Sequence, residues 1–196
     1  LRGRGGVLLR QERHAEAVVD LERATELAPG DEVAQLSLGL SLFGLVRSHR
    51  GDASYHAPAI EALSAAVALG RLDPASTATA HVGLAKLHAS RPKKIDMAAA
   101  LAAADAAVGA SEAAPSLGER AAQECSGPQC AAEAERALSH AREDALRIRA
   151  LLRRKQGMST GALEDYRALA ALVPSDPAVA KSIADLSAAL LSGGGG

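Results

Sequence analysis

Ala17, Val18, Leu21, Ala24 and Leu27 follow one another at helical spacing through residues 14–28, and Ala28-Pro29-Gly30-Asp31 then stops the run. Proline cannot continue a helix, glycine turns the chain, and aspartate caps what starts next. Similar runs, most of them bounded by Pro, Gly or Asp, recur at 59–70, 76–90, 95–109, 130–156, 161–173 and 178–191. The pattern predicts an all-α chain of helices joined by turns.

One segment is ambiguous by periodicity alone. "EVAQLSLGLSLFGLVRS" (32–48) contains "LSLGLSLF", which alternates with period two as a half-buried strand does. The run is too long for one strand and has helical runs on both sides. It therefore reads as a helix apolar on nearly every face, either buried or lining a groove. Composition points the same way. Hydrophobic residues make up 48% of the chain but aromatics only 2%, so the core must be built from Ala, Leu and Val. Alanine is the best helix former, and small side chains let helices approach closely. The scarcity of Ile, Phe and Met and the absence of Asn read as a GC-rich coding bias.

Superposing the helix pairs reveals a repeat. Gly5, Leu8, Ala17, Leu21, Ala24 and Pro29 form the first unit. Leu38, Gly39 and Leu42 continue in register, an insertion follows, and Ala59, Leu63 and Ala66 complete the second. The third has Leu84, Ala85 and His88, then Met97, Leu101 and Ala104, with Gly109 where proline is usual. In the fourth, Ala162, Tyr166 and Pro174 match, Leu169 replaces a usual alanine, and Arg149 stands beside Ala150 where a leucine is expected. These positions resemble the tetratricopeptide repeat, a helical hairpin of about 34 residues. The resemblance implies an α-solenoid of tetratricopeptide-like hairpins with a C-terminal capping helix. Repeats one to three occupy 1–109. An irregular loop with two cysteines spans 110–129. A long helix, the fourth repeat and the cap fill 130–192, and a glycine tail closes at 193–196. The irregular helical bundle is the alternative arrangement of the same helices.

The resemblance also implies a non-catalytic interaction module. In the family the first helix of each hairpin lines a concave groove that takes a peptide or helix. By register the groove residues are Arg10, Leu36, Leu40, Phe43, Val82, Lys86, Arg147, Leu151 and Arg154. Such a groove is apolar at its centre and basic at both ends, which suits a protein partner with acidic flanks. For Leu36, Leu40 and Phe43 the other reading is burial beneath the insertion at 49–57. Family members that clamp a chaperone's terminal carboxylate use Asn and Lys; the lack of Asn argues against that activity here.

The remaining features are weak signals for chemistry. Cys125 and Cys130 flank Ser-Gly-Pro-Gln and read as free thiols, as a disulfide, or as part of a metal site. Even with His140 they fall short of the four ligands of structural zinc, so no metal is expected. The histidines are scattered and read as core or surface residues. No P-loop, paired-carboxylate or Ser-His-Asp spacing appears, so neither an enzyme nor a cofactor is expected. A formal net charge of −1 argues against a general nucleic-acid binder. "RIRALLRRK" (147–155) is the one basic cluster and supports the rival reading, a ribonucleoprotein component touching RNA. No apolar run approaches the roughly 18 residues a bilayer span needs. The opening "LRGRGGVLL" reads as the middle of a longer chain, which leaves the compartment open between cytoplasm and an organelle interior.

Overall fold

A computed structural model describes residues 1–48, 53–90, 95–112 and 128–193. Among them are nine α-helices and no strand: α1 (Arg2–Arg10), α2 (His14–Leu27), α3 (Glu32–Ser48), α4 (His56–Ala68), α5 (Pro74–Ala89), α6 (Met97–Glu112), α7 (Pro128–Lys155), α8 (Ser159–Leu172) and α9 (Pro177–Gly193). The alternating "LSLGLSLF" lies wholly within α3. A strand would leave its backbone groups without a partner sheet, whereas a helix satisfies them internally.

Several boundaries differ from the sequence expectation. α4 begins at His56, so Pro58 falls inside the first turn, where the N–H it lacks would be unpaired anyway. α6 runs past Gly109 to Glu112, because Val108 and Ser111 are buried and the Ser111 hydroxyl donates to the Val108 carbonyl at 2.7 Å. The predicted irregular segment 110–129 is therefore helical at both ends. Its interior, with Cys125, lies outside the described residues, as do the Cys130 side chain and the tail at 194–196.

Four aspartates set helix starts. Asp31, Asp73 and Asp96 accept from the backbone N–H of Ala34, Ser76 and Ala99, each at 3.0 Å, and Asp176 accepts from Ala178 at 2.9 Å. Each satisfies an otherwise orphaned donor, which is worth about 0.5–2 kcal/mol.

Every helix packs on the next in the chain. The odd helices also touch in a row, α1 to α3, α3 to α5 and α5 to α7. Among the described residues α2, α4, α6 and α8 pack only on chain neighbours, and α9 packs on α8 alone. One apolar cluster spans α1 to α5, a second spans α5 to α9, and a smaller third joins α5, α6 and α7.

The hairpins close by setting a small residue against a large one. A Cβ on Gly5 would lie 2.5 Å from Leu21 Cγ, and one on Gly39 would lie 2.6 Å from Leu63 Cγ and 3.0 Å from the Leu63 backbone nitrogen. Leu63 also faces α5, where a Cβ on Gly83 would sit 2.8 Å from its Cδ1. A fully buried leucine is thus wedged between two glycines on neighbouring helices. Gly39→Ala should lower stability by about 1–2 kcal/mol, because overpacking against a branch carbon and backbone outweighs the gain in helix propensity. Gly109→Ala, in open space on α6, should raise it by about 0.5–1 kcal/mol. Urea melts of the two variants read both effects.

Candidate functional site

The residues expected to line a groove fall into three groups. Leu36 is buried in the first cluster, with Leu40 and Phe43 half-buried against it on the same face of α3. Tyr55, at the end of the insertion, packs on that cluster too; residues 49–52 lie outside the described set. Val82 is buried in the second cluster. Lys86 and Arg147 are engaged in ion pairs. Lys86 Nζ lies 3.0 Å from Asp144, tying α5 to α7. Arg147 reaches Glu143 at 3.1 Å and Asp176 at 2.9 Å. Arg10, Leu151 and Arg154 are exposed, and neither arginine has an ion-pair partner among the described residues.

The basic cluster of α7 folds inward. Arg149 donates to Asp165 through Nε at 3.0 Å and Nη2 at 2.6 Å, and its Nη1 lies 3.4 Å from Asp105 of α6. Arg153 meets the same two carboxylates at 3.0 and 3.3 Å. Three of the arginines that suggested an RNA contact are therefore neutralised within the chain.

These pairs expose a repeat that residue-type matching alone missed. Arg4 donates to Asp20 through the same Nε and Nη2, and the separation, 16 residues, is that of Arg149 and Asp165. Arg2 pairs with Asp31 across 29 residues, as Arg147 does with Asp176. The α1–α2 turn passes through a left-handed residue, Glu12, and the α7–α8 turn through Gly157. The backbone follows: Arg13 N–H bonds the Leu8 carbonyl as Met158 N–H bonds that of Arg153. "LRGRG" and "LRIRA" are the visible trace. Arg149 is no random departure from leucine, because its partner Asp165 departs with it. At the matching places in the middle units stand buried Leu38 with Ala62, and buried Leu84 with Ala100.

Charge shifts follow from this pairing. The Arg4 guanidinium holds the Asp20 carboxyl below the usual aspartate range, and Arg147, with the Ala178 N–H, does the same for Asp176. Burial pushes the His81 imidazole below its ordinary value, so it stays neutral at pH 7 as a packing group. A pocket of about 500 Å³ opens over α1 and α2, lined by Arg4, Val7, Leu8, Gln11, Arg13, Glu16, Val19 and Asp20. Among the described residues no cluster of His, Cys, Asp or Glu could hold a metal ion, and no helix is long and apolar enough to cross a membrane.

No protein-family model matches the chain, and no curated protein or solved structure does either.

Two outcomes test the ion pairs. Asp165→Ala should cost about 3–5 kcal/mol, because it strips partners from two half-buried arginines. Arg149→Leu combined with Asp165→Ala, which installs the leucine and alanine of the middle units, should lose much less than the summed single variants in a double-mutant cycle. Acid gives the second test. The depressed aspartates bind protons more readily unfolded than folded, so their contribution is intact above the ordinary carboxylate range and fades as pH falls below about 4. The melting temperature should drop there, and Asp20→Asn should flatten the drop.

Proposed function

We propose that the chain is a tetratricopeptide-like α-solenoid acting as a protein-interaction scaffold, assembly factor or complex subunit without catalysis of its own. In this reading α1–α8 form four hairpins and α9 takes the capping position. The observation that carries it is the contact pattern: α1, α3, α5 and α7 touch in an unbroken row while the even helices do not touch one another among the described residues. Helices stacked that way offer one continuous surface, which suits an elongated ligand. Recurrence of the Arg–Asp pairs at both ends of the chain supports true repetition of the hairpin.

The ligand fitted to that surface is a peptide or helix with an apolar stripe and acidic flanks, since Arg10, Leu151 and Arg154 are free to meet it. An RNA ligand is the weaker reading, because Arg147, Arg149 and Arg153 already face carboxylates.

Selection of displayed random peptides on the immobilised full chain tests this. The selected peptides should share acidic flanks around apolar residues. Leu151→Glu and Arg154→Glu, both exposed, should each weaken binding about tenfold, or ~1.4 kcal/mol, at unchanged helicity. Failure to converge on any peptide class, or RNA binding with a steep salt dependence, would overturn it.

A further inference from the structure

The four helices that touch in a row run parallel. Short connections fold each helix from α2 to α6 back along the one before it. α7 is antiparallel to α6, because Arg142 meets Glu112, Arg149 meets Asp105 and Leu152 clusters with Ala100. The C-terminal ends of α1, α3, α5 and α7 therefore share one edge of the stack.

That edge is basic. The last turn of α1 carries Arg10, that of α3 Arg47, that of α5 Lys86 with His88, and that of α7 Arg153, Arg154 and Lys155. No carboxylate stands in any of these four turns. Cations suit the negative end of any helix dipole, yet the last turns of α2, α4, α6, α8 and α9 carry none. The dipole acts at every C-terminus, so it does not single out these four; the edge they share does. The sequence of the connections agrees. Segments 11–13, 49–55, 90–96 and 156–158, which follow the four helices, hold five Arg and Lys against three Asp and Glu. Segments 28–31, 69–73, 113–127 and 173–176 hold two against five.

Four cations of the edge are uncommitted. Arg10, Arg47, Arg154 and Lys155 are exposed and have no ion-pair partner among the described residues. Lys86 is held by Asp144, and Arg153 by Asp165 and Asp105. Three carboxylates are described here: Glu16 holds Arg13, Asp96 caps α6, and Glu12 has no ion-pair partner among the described residues. Arg136, Arg167 and Lys181 are likewise unpaired but lie outside these turns. An apolar residue sits one turn back on the same helix face: Phe43 four residues before Arg47, and Leu151 three and four before Arg154 and Lys155.

We propose that this edge takes an amphipathic helix of a partner protein, laid across the row with its carboxylates along one side at seven-residue spacing. Packed helices lie about 8–10 Å apart, and seven residues of a helix rise about 10.5 Å. A carboxylate at Arg10 therefore brings the seventh residue on to Arg47 and the twenty-first to Arg154 and Lys155. The step between falls at Lys86, which Asp144 already closes. Apolar residues on the adjoining side meet Phe43 and Leu151, and these contacts favour a protein over a nucleic acid. The inference rests on the protein-interaction reading above and adds the spacing of the acids, their confinement to one side, and Arg47.

Fluorescence anisotropy of labelled helical peptides titrated with the full chain tests it. One peptide, built on Ala, Gln and Leu, carries Glu at i, i+7 and i+21. An isomer of the same composition spreads its three Glu around the helix. The one-sided peptide should bind about tenfold more tightly. Arg47→Glu should abolish that preference and Arg47→Gln weaken it, at unchanged helicity by circular dichroism. A peptide with Lys at i+7 should bind Arg47→Glu about tenfold more tightly than it binds unsubstituted protein, a rescue that a structural role of Arg47 would not give. Isomers that bind equally, a preference that survives Arg47→Glu, no binding of either isomer, or tighter binding of an oligouridylate would each overturn the edge. Those results leave the groove reading to the displayed-peptide selection, which fails on its own terms when no peptide class emerges.

Discussion

The whole arrangement depends on how close two helices of a hairpin can come. Leu63 fills the space that side chains would have taken at Gly39 and Gly83, and Leu21 does the same at Gly5. Interaxial distance follows from the side chains at the crossing. With glycine or alanine on one helix, a single leucine from the other suffices to fill the gap. This explains how a chain with 2% aromatic residues makes a core at all. Each interface is thin, so no single one carries the fold. Each helix from α1 to α8 instead packs on the helix after it.

A second device appears where that sharing is incomplete. The middle hairpins hold Leu with Ala at the places where the end hairpins hold Arg with Asp. A buried ion pair gains little over a well-packed apolar pair, because desolvation consumes most of the Coulomb attraction. The trade improves near solvent. Arg4 keeps most of its guanidinium in water while Asp20 is buried beneath it, so only one ion of the pair is heavily desolvated. Arg149 is more enclosed and receives a second carboxylate, Asp105. In Arg149, binding to Asp165 through Nε and Nη2 leaves Nη1 to reach Asp105 of α6.

Much of the fold was legible because local rules agreed with the packing. The helix spacing around Leu21, the stop at Pro29-Gly30 and the cap at Asp31 all point one way. The period-two run in α3 was legible only through its length and neighbours. What escaped was relational. Arg149 looked like a failed leucine as long as it was read alone. Only the simultaneous change at Asp165, with Arg4 and Asp20 repeating it, shows a conserved contact within the chain rather than a lost one. The groove residues were harder still. Register places Leu36 and Val82 on the first helices of their hairpins, but their burial depends on what the adjoining helices fill. Lys86 and Arg147 read as free cations because Asp144 and Asp176 approach them through tertiary packing.

The pairing of charges also bears on how such a chain meets others. A net charge of −1 suggests no strong pull toward any partner. Yet the cations are not spread evenly in what they do. Arg2, Arg147, Arg149 and Arg153 are satisfied inside the molecule, while Arg10 and Arg154 face outward and Arg4 keeps one edge unsatisfied. Among the described residues the cations without an ion-pair partner are therefore few and local. Paired exposed charges add little to affinity, whereas a guanidinium already held in place loses little entropy when it takes one more carboxylate. Arg4 is such a group. The Asp20 that stabilises it within its own hairpin also holds its exposed guanidinium in one orientation.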